Sequence, residues 1–219
     1  RSANLTNTDL SQVKLNNASL IGANLTGVSS GFISGTPAAL PNGWLLVSGY
    51  LIGASATLSG ADLSGANLSG ADMTNAYMQG VKLIGANLSN ADLAIANLTN
   101  ANLTGADLTD ANLSGSNMYS VISGGVIGTP AALPNGWTLV NGYLIGLDAN
   151  LANANLIGAN LSNVDLTGAN LTNANLAAAN LTDADLTSAN LTNANLASAN
   201  LGGVISGGII GTPAALPNG

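Results

Sequence analysis

The sequence predicts an all-β fold, a four-sided parallel β-solenoid with about 20 residues per coil, and three observations carry that expectation. A five-residue unit recurs along most of the chain, the residue two places after each unit's central Leu is repeatedly Gly or Asn, and bulky or charged side chains are scarce.

The unit is plain in Ala61-Asp62-Leu63-Ser64-Gly65, Ala66-Asn67-Leu68-Ser69-Gly70 and Ala169-Asn170-Leu171-Thr172-Asn173. Central residues run from Leu5 to Leu25, from Leu58 to Met118 through Met73 and Met78, and from Leu151 to Leu201, always in steps of five. On an α-helix a step of five turns the side chain by a net of roughly 140°, which spreads the leucines around the whole circumference. On a straight strand an odd step sends successive leucines to opposite faces. A chain that turns after every unit and closes a coil in four units makes all of them equivalent, with the central Leu and the Ala two places before it both inside.

Gly22, Gly60, Gly65, Gly85, Asn100, Asn173 and Asn193 hold the position two after the centre, where a tight turn with positive φ suits Gly and Asn. Ile95 and Ala178 break the pattern. A β-branched residue at positive φ is costly, so these corners are expected to use a turn without a left-handed residue, giving mixed turn types.

Charged residues make up 6% of the chain and aromatics 3%, so the core has to be thin and built from Leu, Ala, Val, Ile and Met. There is no Cys and no His, which removes disulfides, thiol nucleophiles and the commonest general base. No catalytic residues, cofactor or metal site are expected. Ten Asp stand against Arg1, Lys14 and Lys82 for a net charge of −7, which offers no basic surface to neutralise phosphates. Direct nucleic-acid binding is therefore not expected, and no apolar run is long enough to span a membrane as a helix.

The consensus of Ala, then Asp or Asn, then Leu, then two variable residues resembles the pentapeptide-repeat family across nearly the whole chain. The resemblance implies a right-handed quadrilateral β-helix with coils bonded backbone to backbone. Some members of that family resemble duplex DNA in charge and bind gyrase. Counting units places Asp62, Asp165 and Asp185 on one face, Asp9, Asp72 and Asp92 on the opposite one and Asp107 on a third, so no face carries a dense acidic stripe. Phe32 is the only Phe, whereas the resemblance associates gyrase binding with Phe at central positions. Thr172 with Thr192 and Thr167 with Thr187 suggest a flat Thr surface, which Ile157, Ala177 and Gly202 interrupt.

One cassette interrupts the repeat three times, as Gly35-Thr36-Pro37-Ala38-Ala39-Leu40-Pro41-Asn42-Gly43-Trp44, as its twin from Gly128 to Trp137, and from Gly211 to Gly219. Each complete interruption separates central residues by 33, from Leu25 to Leu58 and from Met118 to Leu151, or six units plus three residues. Val28, Ile33 and Ala38 keep the upstream register and Leu46, Leu51 and Ala56 the downstream one. Central positions shrink to Ser30, Gly35, Ser48 and Gly53 as the positions two before them grow, an exchange of volume consistent with constant packing density. The cassette therefore reads as a continuing, altered coil with a short Pro-Asn-Gly loop, within one continuous solenoid over 1–219 whose altered coils lie near 28–56, 121–149 and 204–219. Four units per coil then put Pro41-Asn42-Gly43 opposite Pro134-Asn135-Gly136, with Pro217-Asn218-Gly219 on the side of the latter.

Trp44 and Trp137 each precede a Tyr by six residues, Tyr50 and Tyr143. These four form a possible interaction surface, as aromatic anchors for a partner or a sugar; the other reading is that Trp folds down with Leu40 or Leu133 over the base of the loop. Two functions follow. One is a non-catalytic segment of a longer surface or fibre-forming bacterial repeat protein whose partner is itself, coil on coil, since the chain starts inside a repeat and stops inside a cassette. The other is a monomeric module presenting a flat face to another protein.

Overall fold

The structure, a computed structural model, describes residues 2–217. It is all-β. Short strands and isolated parallel bridges make up its secondary structure, and no helix occurs among the described residues. By contacts these residues fall into two compact units, one within Arg1–Met118 and Ile127–Pro134, the other within Tyr119–Val126 and Asn135–Gly219.

In the first unit every bridge among the described residues but Ser29↔Thr57 joins residues twenty apart, as in Thr57↔Tyr77, Tyr77↔Asn97 and Asn97↔Asn117. The residue before each centre therefore stacks in a column on its own equivalents. Leu58 N–H donates to the Tyr77 carbonyl at 2.7 Å and Tyr77 N–H to the Ala56 carbonyl at 2.9 Å, so neighbouring coils are bonded to one another in both directions. The second unit repeats the scheme, with Leu151 N–H on the Asn170 carbonyl at 2.8 Å and Asn170 N–H on that of Ala149 at 2.9 Å.

The core follows the five-residue period. Leu88, Leu103 and Leu171 are fully buried and Leu186 is 3% exposed, and the alanines two places before the centres are buried with them, as at Ala86, Ala101, Ala169 and Ala184. Met73 and Met78 take central positions at no cost in burial, as a flexible side chain of similar volume allows.

The corners are more uniform than their sequence suggests. Ile95 has φ 60° and Ala178 φ 57°, like Asn100 at 58° and Asn173 at 58°. The expectation of mixed turns is corrected: these two corners use the left-handed residue as well. Ladder and turn bonds dictate it, since Ile95 N–H donates to the Ser114 carbonyl at 2.9 Å and Ala96 N–H to that of Leu93 at 3.1 Å. Neighbouring coils thus hold a conformation that an isolated Ile avoids. Ile95 is 64% exposed and loses little if removed, so Ile95→Asn is expected to stabilise the chain by about 1 kcal/mol. A urea midpoint that stays put or falls would show that this corner carries no strain.

The cassettes differ from expectation in kind. Each complete one holds an antiparallel β-hairpin, β1 (Leu45–Val47) with β2 (Tyr50–Ile52) and β3 (Thr138–Val140) with β4 (Tyr143–Ile145). Ser29 is bridged to Thr57 and Ile122 to Asn150, so these coils take 28 residues, eight more than their neighbours and not three. Leu46 and Leu51 stand opposite one another across the turn; their spacing of five belongs to a hairpin, not to successive units. Val28 and Leu51 are fully buried and Ile33 is 8% exposed, while Leu46 is half-buried against the same cluster.

The eight-residue excess changes the column count within the first unit. Ala39 stacks on Ser19, whereas Ala132 stacks on Asn112 in the column one unit later. The first two cassettes therefore differ by one column rather than two. Asp9 likewise joins the column of Ser29 and Thr57 and parts from Asp72 and Asp92. The last loop, Pro217-Asn218-Gly219, extends outside the described residues.

Candidate functional site

The hairpins carry the four aromatic residues singled out above. Each turn has two residues at positive φ, Ser48 at 51° with Gly49 at 80° and Asn141 at 50° with Gly142 at 77°. That is the type I′ geometry whose twist suits a two-residue β-turn.

Three contacts seat each hairpin on the stretch of chain before it. Leu51 N–H donates to Ser30 Oγ at 2.9 Å and Leu144 N–H to Ser123 Oγ at 2.9 Å, both in buried surroundings. Ile33 N–H donates to the Gly49 carbonyl at 3.0 Å and Val126 N–H to that of Gly142 at 3.0 Å. The Tyr50 ring lies over Gly31, where an added Cβ would meet Cε1 at 3.2 Å, and the Tyr143 ring lies over Gly124, where it would do so at 3.0 Å. Tyr143 Oη also accepts the Asn155 N–H at 3.0 Å.

Trp44 and Trp137 are half-buried and packed against their units' cores. Trp44 shares its cluster with Leu40, and its indole covers Gly53 so closely that a Cβ there would overlap the ring. Trp137 covers Gly146 in the same way. The structure thus places each Trp at the base of the hairpin and each Tyr on the seat. Ser30 and Gly53 stood out in the sequence only as shrunken central positions, and Ser123, Gly31, Gly124 and Gly146 were not singled out. A Ser at a central position in both complete cassettes was the available signal.

The Asp and Asn residues before the centres are turn acceptors. Asp9 Oδ1 accepts the Ser11 N–H at 2.8 Å, Asp185 the Thr187 N–H at 2.8 Å and Asn102 the Thr104 N–H at 3.0 Å. Such a bond supports the turn that follows. Their amides also form ladders between coils, with Asn195 Nδ2 donating to Asn175 Oδ1 at 3.1 Å and Asn112 Nδ2 to Asp92 Oδ1 at 3.0 Å. In the first unit Asp9, Asp62, Asp107 and the pair Asp72 and Asp92 occupy four different columns, so no acidic stripe forms there. Among the described residues no group of three or more acidic side chains is placed to hold a metal ion, and no helix is long and apolar enough to cross a membrane.

Hydrogen bonds from the Ser or Thr two places on hold four carboxyls below the ordinary Asp value of 3.8: Asp9 by Ser11, Asp62 by Ser64 with help from Lys82, Asp107 by Thr109 and Asp185 by Thr187. The folded state therefore favours the ionised form. The stability this adds is fully present above the unfolded-chain value and is lost as pH falls through the lower folded values. Melting temperature is expected to be level from about pH 8 to pH 5 and to fall below about pH 4. The drop should shrink in Asp62→Asn, which keeps the acceptor and loses the charge; an equal drop would mean that Asp62 adds nothing to it.

A family model described as pentapeptide repeats matches eight copies over residues 1–29, 54–90, 86–122, 148–183 and 169–205. The gaps in that match, 30–53 and 123–147, contain the two hairpins. The chain belongs to the pentapeptide-repeat family, whose members adopt a right-handed quadrilateral β-helix. No curated protein matches the sequence. Among solved structures it is similar to HetL, a pentapeptide repeat protein involved in heterocyst differentiation regulation from the cyanobacterium Nostoc sp. strain PCC 7120. That match has 29% identity over 98% of this chain and 87% of the other, with a TM-score of 0.39. A trypsin-treated form of QnrB1, a plasmid-mediated fluoroquinolone resistance protein, matches at 18% identity over 95% and 83%, TM-score 0.35. A pentapeptide repeat protein from the Arabidopsis thaliana thylakoid lumen matches at 21% over 71% and 66%, TM-score 0.18.

Proposed function

We propose that the chain is a non-catalytic structural solenoid, right-handed and four-sided, continuous over 1–219, that stacks end to end as a segment of a longer surface or fibre-forming protein. The observation that carries this reading is the ladder itself. Regular coils stacked on one another use the same bonds, with central N–H groups donating to the next coil and the preceding residue's N–H donating to the coil before, as at Leu88 to Asp107 and Asn87 to Ala66. A ladder of identical steps is a template for further strands wherever a coil is open. Among the described residues, neither the packed interior nor the hydrogen-bonded Asp and Asn columns offer a cleft with an acid, a base and a nucleophile together.

Sedimentation velocity over rising concentration, with electron microscopy for fibres, tests the reading. Longer species should grow in with concentration. A strict monomer at high concentration would overturn self-stacking and favour the interaction module. In that case the partner is another protein, and the outer edges of Trp44, Tyr50, Trp137 and Tyr143 are the contact surface to mutate.

A further inference from the structure

In a regular step of the first unit the residue before each centre donates its N–H to the coil before, as Lys82 does to the Ala61 carbonyl, Asn87 to that of Ala66 and Asp92 to that of Ala71, each at 2.9 Å. The step that follows the first hairpin keeps this bond in one column. Thr57 N–H donates to the Val28 carbonyl at 2.9 Å, and Ser29↔Thr57 is the bridge there. Asp62, Asn67 and Asp72, next along the same coil, are bridged forward to Lys82, Asn87 and Asp92 and not backward. Their N–H groups donate to no backbone carbonyl, and their carbonyls accept no backbone N–H. Ser34 and Ala39, on the coil before, are bridged to Lys14 and Ser19 alone.

Exposure follows the missing bonds. Asp62, Asn67 and Asp72 are exposed, with Ser64 and Ser69 between them, whereas Asn87, Ser89 and Asp92 one coil on are half-buried. The hairpin fills the interior at this step, with Leu51 and Ile52 fully buried, so the core is closed while the backbone edge stays open. The second unit repeats the arrangement after its own hairpin, since Asn160 and Asp165 are bridged forward only and are exposed.

A row of unpaired N–H and C=O groups accepts an extended strand, and charge selects which one. Asp62 has the Lys82 ammonium on its forward side at 3.7 Å, whereas Asp72 has Asp92 there. Both carboxylates therefore favour a cation on the open side. A second copy of this chain is poorly suited to supply it, with Arg1, Lys14 and Lys82 against ten Asp.

We propose that the edge from Asp62 to Asp72 docks an extended segment of a partner protein that carries a basic residue at each end. The segment's backbone pairs with Asn67, in the column between the two carboxylates, and its end Lys or Arg side chains reach Asp62 and Asp72. A straight strand follows one column and overhangs both corners, which is why the charges belong at its ends. The site lies between two coils of one unit and is independent of end-to-end stacking.

The test uses the full chain and a blocked, fluorescently labelled peptide, Lys-Thr-Val-Thr-Val-Thr-Lys, at physiological salt, which screens diffuse attraction to the acidic chain. Anisotropy should show saturable binding, and hydrogen exchange at the Asn67 amide should slow when the peptide is bound. Asp62→Asn combined with Asp72→Asn, which keeps both turn acceptors and removes both charges, should weaken binding by about fivefold or more. Asn67→Pro, which deletes an N–H that the free chain leaves without a backbone partner, should keep the fold and abolish binding; should it fail to fold, the carboxylate variant still decides. No binding overturns the proposal, as does equal binding of the peptide with Glu at both ends, or an Asn67 amide whose exchange ignores the peptide. Self-association that Asn67→Pro abolishes, with no peptide bound, would give the edge to a second copy and overturn it as well.

Discussion

Leu103→Asp is expected to abolish folding of the unit that contains it. Leu103 is fully buried, with Leu83 and Leu98 equally buried around it, and a carboxylate there would have no partner. Trimming a buried Leu to Ala already costs about 2–5 kcal/mol, and an unpaired charge in a dry interior costs more, against a total stability of about 5–15 kcal/mol for a typical domain. Leu103→Met should remain folded within about 1.5 kcal/mol of the parent, as Met73 and Met78 already fill the same kind of position. Circular dichroism with urea melts reads both variants. A Leu103→Asp protein as stable as the parent would sink the stacked-core account.

Gly53→Val is the second large effect. The Trp44 indole occupies the space in which a side chain at Gly53 would lie, so either the ring leaves the hairpin base or the backbone shifts. The expected loss is about 2–4 kcal/mol, in the range of overpacked core sites. In a Trp137→Phe background, Trp44 emission should move to the red and become more open to acrylamide quenching. Gly207→Ala, at a position with free space, is the matched control and should change neither. Unaltered Trp44 emission in Gly53→Val would mean that the ring is not seated on Gly53.

The period of five was enough to read the architecture because only a chain turning after each unit makes every central Leu equivalent, and a period is a property of sequence alone. The same argument placed Leu88, Leu103, Leu171 and Leu186 inside. It failed at Leu46 and Leu51, which are five apart as repeat neighbours would be but are cross-strand partners around Ser48-Gly49. The Asn141-Gly142 turn between Leu139-Val140 and Tyr143-Leu144 was a legible hairpin signal, masked because the spacing also satisfied the repeat.

The aromatic residues of the candidate site were visible as the only tryptophans, each with a Tyr six residues on. Their seats were not. Ser30 and Gly31 owe their roles to a hairpin that returns from some twenty residues later, and no local pattern encodes that return.

The sequence by itself determined the coil and its core, since both follow from a unit short enough to impose its own geometry. The tertiary structure alone decided that a cassette coil takes 28 residues, which columns the Asp residues join, and that Ile95 and Ala178 adopt positive φ. Those outcomes depend on hydrogen bonds between coils, whose combined strength exceeds the conformational preference of any single residue.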